Sequence, residues 1–198
     1  MTWIVASYSI TSKRNQQGID FAGPYMQSDQ GLLVRAGDTS IRDKADLAGK
    51  SVCMVGATTG SMVPLPGANT VTHRETTQDC VDMLARGDTD AVFTDTLILY
   101  GFMQVNPGKY RVVLSGVFGT PQFYGIGLLG GHLDECHRLN AIIKDYLRVQ
   151  WRIDFKAHLP TAVAAAAADG GFESRFKPPE VAMRKLSCQV AKEPPRPM

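Results

Sequence analysis

The chain is predicted to be an α/β protein. Two short runs rich in β-branched residues, Ser51-Val52-Cys53-Met54-Val55 and Asp90-Ala91-Val92-Phe93-Thr94, read as buried strands. Between them and after them, apolar residues recur at helical spacing, and the connections are short. In an open sheet of this kind a ligand crevice lies beyond the carboxyl ends of the strands, and Asp95 stands at such an end.

The elements follow in order. Trp3 to Ala6 leans apolar, Ser7 to Gln17 is polar, and Gly31-Leu32-Leu33-Val34-Arg35 is apolar again, which reads as strand, short helix, strand. Lys44 to Gly49 reads as a helical turn closed by glycine, before the strand at Ser51. Thr76 or Thr77 can cap a helix with the stripe Cys80, Val81, Leu84 and Ala85, and Gly87 suits the left-handed position that ends it. After Asp95 an apolar helix runs from Thr96 to Met103. Tyr110 to Leu114 and Phe123 to Leu129 read as strands joined by a loop. A long helix from about Leu133 to Trp151 presents Leu139, Ile142, Ile143, Tyr146 and Leu147 on one face. Beyond Pro160 the composition turns to alanine and proline, so residues 161–198 are expected to form a partly mobile tail.

Composition bounds the function. At 198 residues and 44% hydrophobic, the chain can bury a core. Its 21 basic and 19 acidic residues are nearly balanced, without the basic and aromatic clustering of nucleic-acid surfaces, so no nucleic-acid partner is expected. The longest apolar run, Ala162 to Ala168, falls far short of the roughly 20 residues of a membrane span, so no membrane span is expected. Met1 to Ile10 lack the pattern of a secretory signal.

Four cysteines, Cys53, Cys80, Cys136 and Cys188, contain no Cys-x-x-Cys pair, and the four histidines show no ligand spacing, so no metal is expected. The even count permits two disulfides or unpaired core thiols. No nucleophile elbow marks an enzyme. Gly125-Ile126-Gly127-Leu128-Leu129-Gly130 matches a dinucleotide fingerprint literally, but its glycines fall inside a strand rather than opening a helix, so no cofactor is expected there.

The remaining polar groups suit a zwitterion. Arg14 follows the hydroxyl-rich Ser7-Tyr8-Ser9-Ile10-Thr11, and its planar fork can take a carboxylate with two parallel hydrogen bonds. Asp95 can accept an ammonium group or cap a helix. The loop Gly56-Ala57-Thr58-Thr59-Gly60-Ser61 is either an anion-binding loop or a plain turn.

The same residues resemble the family 3 extracellular solute-binding proteins, the polar amino-acid receptors of ABC importers. The likeness runs from Ala6-Ser7-Tyr8-Ser9-Ile10-Thr11, Arg14 and Ile19-Asp20-Phe21-Ala22-Gly23-Pro24-Tyr25 through Gln30-Gly31-Leu32-Leu33-Val34-Arg35 and Asp46 to Val52. It continues in Gly87 to Asp95 and Tyr124 to Leu128, and covers residues 3 to about 160. The resemblance implies a type 2 periplasmic-binding-protein-like fold, with two lobes, a hinge and an incomplete first lobe. Residues 1–35 and 120–160 would form the first lobe and 36–119 the second.

By the same resemblance Arg14 binds the ligand α-carboxylate, with backbone N–H groups at Ser9 and Thr59 in a loop that includes Thr58. Asp95, the Ser9 hydroxyl and the Ser7 carbonyl bind the α-ammonium. The ligand would be a polar amino acid, glutamate-like for choice, the partners would be the ABC permease subunits of the membrane, and the protein itself would act outside the cytoplasm. Cys53 and Cys80 match a cysteine pair of actinobacterial glutamate-type members, to which the segment from Phe172 to Cys188 is also similar, and the resemblance implies a disulfide between them. Two departures stand out. The first-lobe elements that carry the family's ligand-sandwiching aromatics have no counterpart before Trp3, which opens a route to self-association, and Ala57 stands where many relatives have glycine. Other readings on the same fold are a ligand-independent sensor or interaction module, a degenerate receptor, and an enzyme.

Overall fold

The structure is a computed structural model that describes residues 3–189. In chain order its elements are β1 (Trp3–Ile4), α1 (Ser12–Gln16), β2 (Ile19–Arg35), β3 (Ser51–Val55), β4 (Thr70–Arg74), α2 (Thr77–Arg86), β5 (Ala91–Asp95), α3 (Thr96–Val105), β6 (Tyr110–Leu129), α4 (Leu133–Val149), α5 (Trp151–His158), α6 (Pro160–Ala165), α7 (Phe172–Phe176) and α8 (Glu180–Leu186). Single 3-10 turns lie at Ala45–Leu47 and Gly60–Met62. The chain divides into two compact units. The first holds the residues up to Gln27, Gln122–His158 and those from Ala166 onward, and the second holds Ser28–Pro121 with Leu159–Ala165.

In the second unit β5 pairs in parallel with β3 and antiparallel with the carboxyl half of β2, and β4 pairs in parallel with β3. Side chains alternate between the two faces of this sheet, and both faces are buried. Leu32, Val34, Val52, Met54, Ala91 and Phe93 pack on one face. Leu33, Cys53 and Val92 pack on the other, against Cys80, Val81 and Leu84 of α2 and Leu99 of α3. That alternation explains the near-continuous apolar runs in β3 and β5. α2 starts with a capping box between Thr76 and Asp79 and ends at Gly87 with φ 83°. Cys53 and Cys80 form a disulfide, with Cα atoms 5.4 Å apart, that fastens α2 to β3.

In the first unit β1 pairs antiparallel with the carboxyl half of β6. Gly125 and Gly127 of the fingerprint-like run lie inside β6 and Gly130 follows its end, and at the first two the missing side chain permits close approach. A Cβ at Gly127 would come within 2.9 Å of the Tyr8 ring, and one at Gly125 within 2.9 Å of the Ile10 side chain. Helix α4 buries Cys136, Leu139, Ile143 and Leu147.

Several elements differ from expectation. β2 and β6 are single long strands, where one short strand at Gly31–Arg35 and two short strands joined by a loop, respectively, were expected. The division between units falls after Gln27 rather than Arg35, because Gln30 to Leu33 pair with β5. Leu159–Ala165 also falls in the second unit rather than opening a tail, with α6 packed on α3. Ile142 is 64% exposed, one residue off the buried stripe of α4, and Ala85 is exposed on α2.

The tail expected to be partly mobile is folded over residues 166–189. Trp151, Phe155, Phe172 and Phe176 stack at centroid distances of 4.7 to 6.0 Å. A second disulfide joins Cys136 to Cys188. Sparse large apolar side chains do here what an apolar stripe does in a longer helix, and an alanine- and proline-rich composition hides them. The rest of that expectation, residues 190–198, lies outside the described residues.

Candidate ligand-binding site

In the second unit the site residues sit at the carboxyl ends of β3 and β5. Asp95 closes β5 and is 5% exposed. It occupies the N-cap position of α3 with φ −66° and ψ 134°, yet its side chain makes no capping bond. Instead the Leu97 N–H, one of the orphan donors of the first helical turn, donates to the Ser28 hydroxyl at 3.2 Å. The Asp95 carboxylate accepts from Gln30 Nε2 at 3.3 Å, its partner in the β2–β5 register.

The loop after β3 turns at Ala57, which has φ 56° although it carries a Cβ. The Thr58 hydroxyl donates to the Val55 carbonyl at 2.8 Å and accepts from the Ser61 N–H at 3.2 Å, so it builds the loop. Thr59 begins the 3-10 turn and makes no side-chain capping bond there. A Cβ on Gly60 would lie 3.6 Å from both Gln30 Nε2 and Thr58 Oγ1, so the loop and Asp95 meet around the Gln30 amide. Because a left-handed conformation suits glycine and strains alanine, Ala57→Gly is expected to stabilise the protein by about 0.5–1 kcal/mol. Urea unfolding measures it, and an unchanged or lower midpoint would show the turn to be unstrained.

In the first unit Thr11 caps α1, its hydroxyl accepting from the Arg14 N–H at 3.2 Å. The half-buried Arg14 donates from Nη1 to the Ser9 carbonyl at 2.6 Å, and its guanidinium lies 4.3 Å from the centroid of the Tyr8 ring. Both contacts orient the fork without neutralising its charge, and no carboxylate pairs with it among the described residues. Ser9 is buried and bridges to Tyr124 of β6, whereas Ser7 is exposed. The Tyr25 hydroxyl donates to the Ala6 carbonyl beside Ser7. Burial pushes the Tyr25 pKa up to about 12, which keeps the hydroxyl protonated as a donor.

Ser7, Ser9 and Arg14 thus belong to the first unit, and Thr58, Thr59 and Asp95 to the second. Sequence reasoning missed Tyr8, Ser28 and Gln30. No local signal marks the last two, because Gln27, Ser28, Asp29 and Gln30 are all polar and only the strand register sets Ser28 and Gln30 on the face of Leu32 and Val34.

No protein-family model matches the chain. The glutamate-binding protein GluB of Corynebacterium efficiens is 36% identical over 148 residues, covering 71% of this chain and 50% of the relative. The ABC transporter glutamine-binding protein GlnH of Bacillus subtilis is 32% identical over 145 residues, covering 71% of this chain and 51% of the relative. Over that stretch the chain is similar to amino-acid-binding proteins of ABC transporters. It spans about half the length of the curated relatives it matches. An ancestral arginine-binding protein bound to glutamine shares the fold with a TM-score of 0.68 at 23% identity, over 79% of this chain and 70% of that one. Among the described residues, no helix is long and apolar enough to cross a membrane, and no three metal-ligating side chains converge.

Proposed function

We propose that the chain binds a polar amino acid, glutamate-like for choice, as the receptor component of an ABC amino-acid importer, and that it does so without chemistry. The observation that carries this reading is Asp95: a carboxylate at a helix N-cap position whose capping duty is performed by Ser28. Arg14, whose charge no carboxylate balances among the described residues, takes the ligand α-carboxylate. Asp95 takes the α-ammonium, with Ser7, Ser9, Thr58 and Thr59 as the accompanying polar groups.

Names of the relatives favour glutamate or glutamine. Family relationship points to permease subunits as partners. Two disulfides in one small chain favour an oxidising compartment, and so an extracytoplasmic site of action. Titration calorimetry against a panel of L-amino acids tests the reading. Saturable heat with L-glutamate or L-glutamine is expected, and no heat with any amino acid would overturn it.

A second reading, an interaction module that associates with itself, has one observation in its favour. Trp3 and Ile4 of β1, with Val5 beside them, are 47%, 46% and 65% exposed. Light scattering separates the two: the receptor is a monomer that binds amino acid, and the module is an oligomer indifferent to it.

A further inference from the structure

We propose that Ser28 and Gln30 are positioning residues that hold the Asp95 carboxylate ready for the ammonium group of the ligand. The inference rests on the receptor reading above and assigns the parts of the second unit that make Asp95 serviceable.

Ser28 and Gln30 alternate with Leu32 and Val34 along β2, and strand geometry puts all four on one face. Ser28 is 1% exposed and Gln30 is 0% exposed. Burying a hydroxyl and an amide in an apolar layer is costly unless each makes a bond that matters to the fold or to the site.

Ser28 makes such a bond at the helix end. A residue in the N-cap conformation ordinarily turns its own side chain onto the N–H two or three residues ahead. Asp95 has that conformation, but the Ser28 hydroxyl accepts from Leu97 N–H and also lies 3.4 Å from Thr96 Oγ1. With the donor already satisfied, the aspartate gains nothing by folding back over its own helix.

Gln30 acts on the carboxylate directly. It stands opposite Asp95 in the strand register and donates from Nε2 to Oδ1. The amide orientation is dictated by charge, since the reversed amide would press its oxygen against a carboxylate. Gln30 Oε1 is buried without a hydrogen-bond partner among the described residues, so the amide is held for the sake of its nitrogen. It is packed tightly on that side: a Cβ at position 119 would lie 2.2 Å from Oε1, and the residue there is Gly119, with φ 66°. A carboxylate accepts at several positions, so the bond from Gln30 leaves room for an ammonium donor.

The test compares two ligands that differ only at the ammonium group. Calorimetry, with competition for the weaker ligand, gives the affinities of wild type and Gln30→Met for L-glutamate and for glutarate, which lacks the amino group. Methionine keeps the volume and removes the donor. Gln30→Met is expected to lose roughly 10-fold to 100-fold for glutamate, the range of a hydrogen bond to a charged group, and less than about 2-fold for glutarate. Ser28→Ala, which removes a single hydroxyl, is expected to show the same selective loss and serves where Gln30→Met does not fold. Equal losses for both ligands, or no loss for glutamate, would overturn the positioning role while leaving the receptor intact. A wild type that binds neither ligand overturns the receptor reading itself, and the positioning role with it.

Discussion

Arg14→Ala is expected to weaken binding of L-glutamate by about 2–5 kcal/mol, which is roughly 30-fold to several thousand-fold. The size follows from what the side chain does. Thr11 starts α1 so that Arg14 falls in its first turn, the Ser9 carbonyl and the Tyr8 ring hold the guanidinium, and its charge has no carboxylate partner among the described residues. Alanine therefore removes the counter-charge of the ligand carboxylate and leaves that carboxylate desolvated in the bound state. Arg14→Lys keeps the charge without the planar fork and should fall between the two. Calorimetry reads both, with a thermal melt to show that each variant is folded. An unchanged affinity for Arg14→Ala would remove this residue from the site.

The second large effect concerns stability. Replacing Cys136 and Cys188 together by alanine is expected to cost about 4 kcal/mol of unfolding free energy, the chain-entropy value for closing a loop of this length. The bond spans 52 residues, against 27 for Cys53–Cys80, for which the same relation gives about 3.5 kcal/mol. Both cysteines of the longer loop are buried, and the Cys188 N–H donates to the Phe21 carbonyl of β2 at 2.8 Å. Within the first unit the bond therefore ties the segment that carries α8, Phe172 and Phe176 to α4. Urea unfolding with and without reductant measures the effect, and a midpoint indifferent to the double replacement would show that packing alone holds the segment.

How much of this was legible in the sequence depends on whether a segment's own side chains specify it. α2 was readable because Thr76, the Cys80, Val81 and Leu84 stripe and Gly87 are local signals. β3 and β5 were readable because both of their faces are buried. β4 was not, since Thr70–Arg74 has no apolar run and becomes a strand only by pairing with β3 through five residues. The extents of β2 and β6 were missed for a related reason. Gln27, Ser28, Asp29 and Gln30 look like a loop, yet they continue the strand that pairs with β5 from Gln30 onward. The candidate site divides along the same line. Arg14 and Asp95 were visible as charges flanked by a family-like pattern, whereas the roles of Ser28 and Gln30 depend on a strand register that brings residues 65 and 69 positions apart into contact.

The central claim is that Arg14 and Asp95 hold the two charges of one amino acid, and a crystal structure of the protein grown with L-glutamate tests it most directly. The expected result is a ligand whose α-carboxylate accepts from the Arg14 guanidinium and whose α-ammonium donates to the Asp95 carboxylate. A glutamate seated with neither side chain within hydrogen-bonding distance would contradict it.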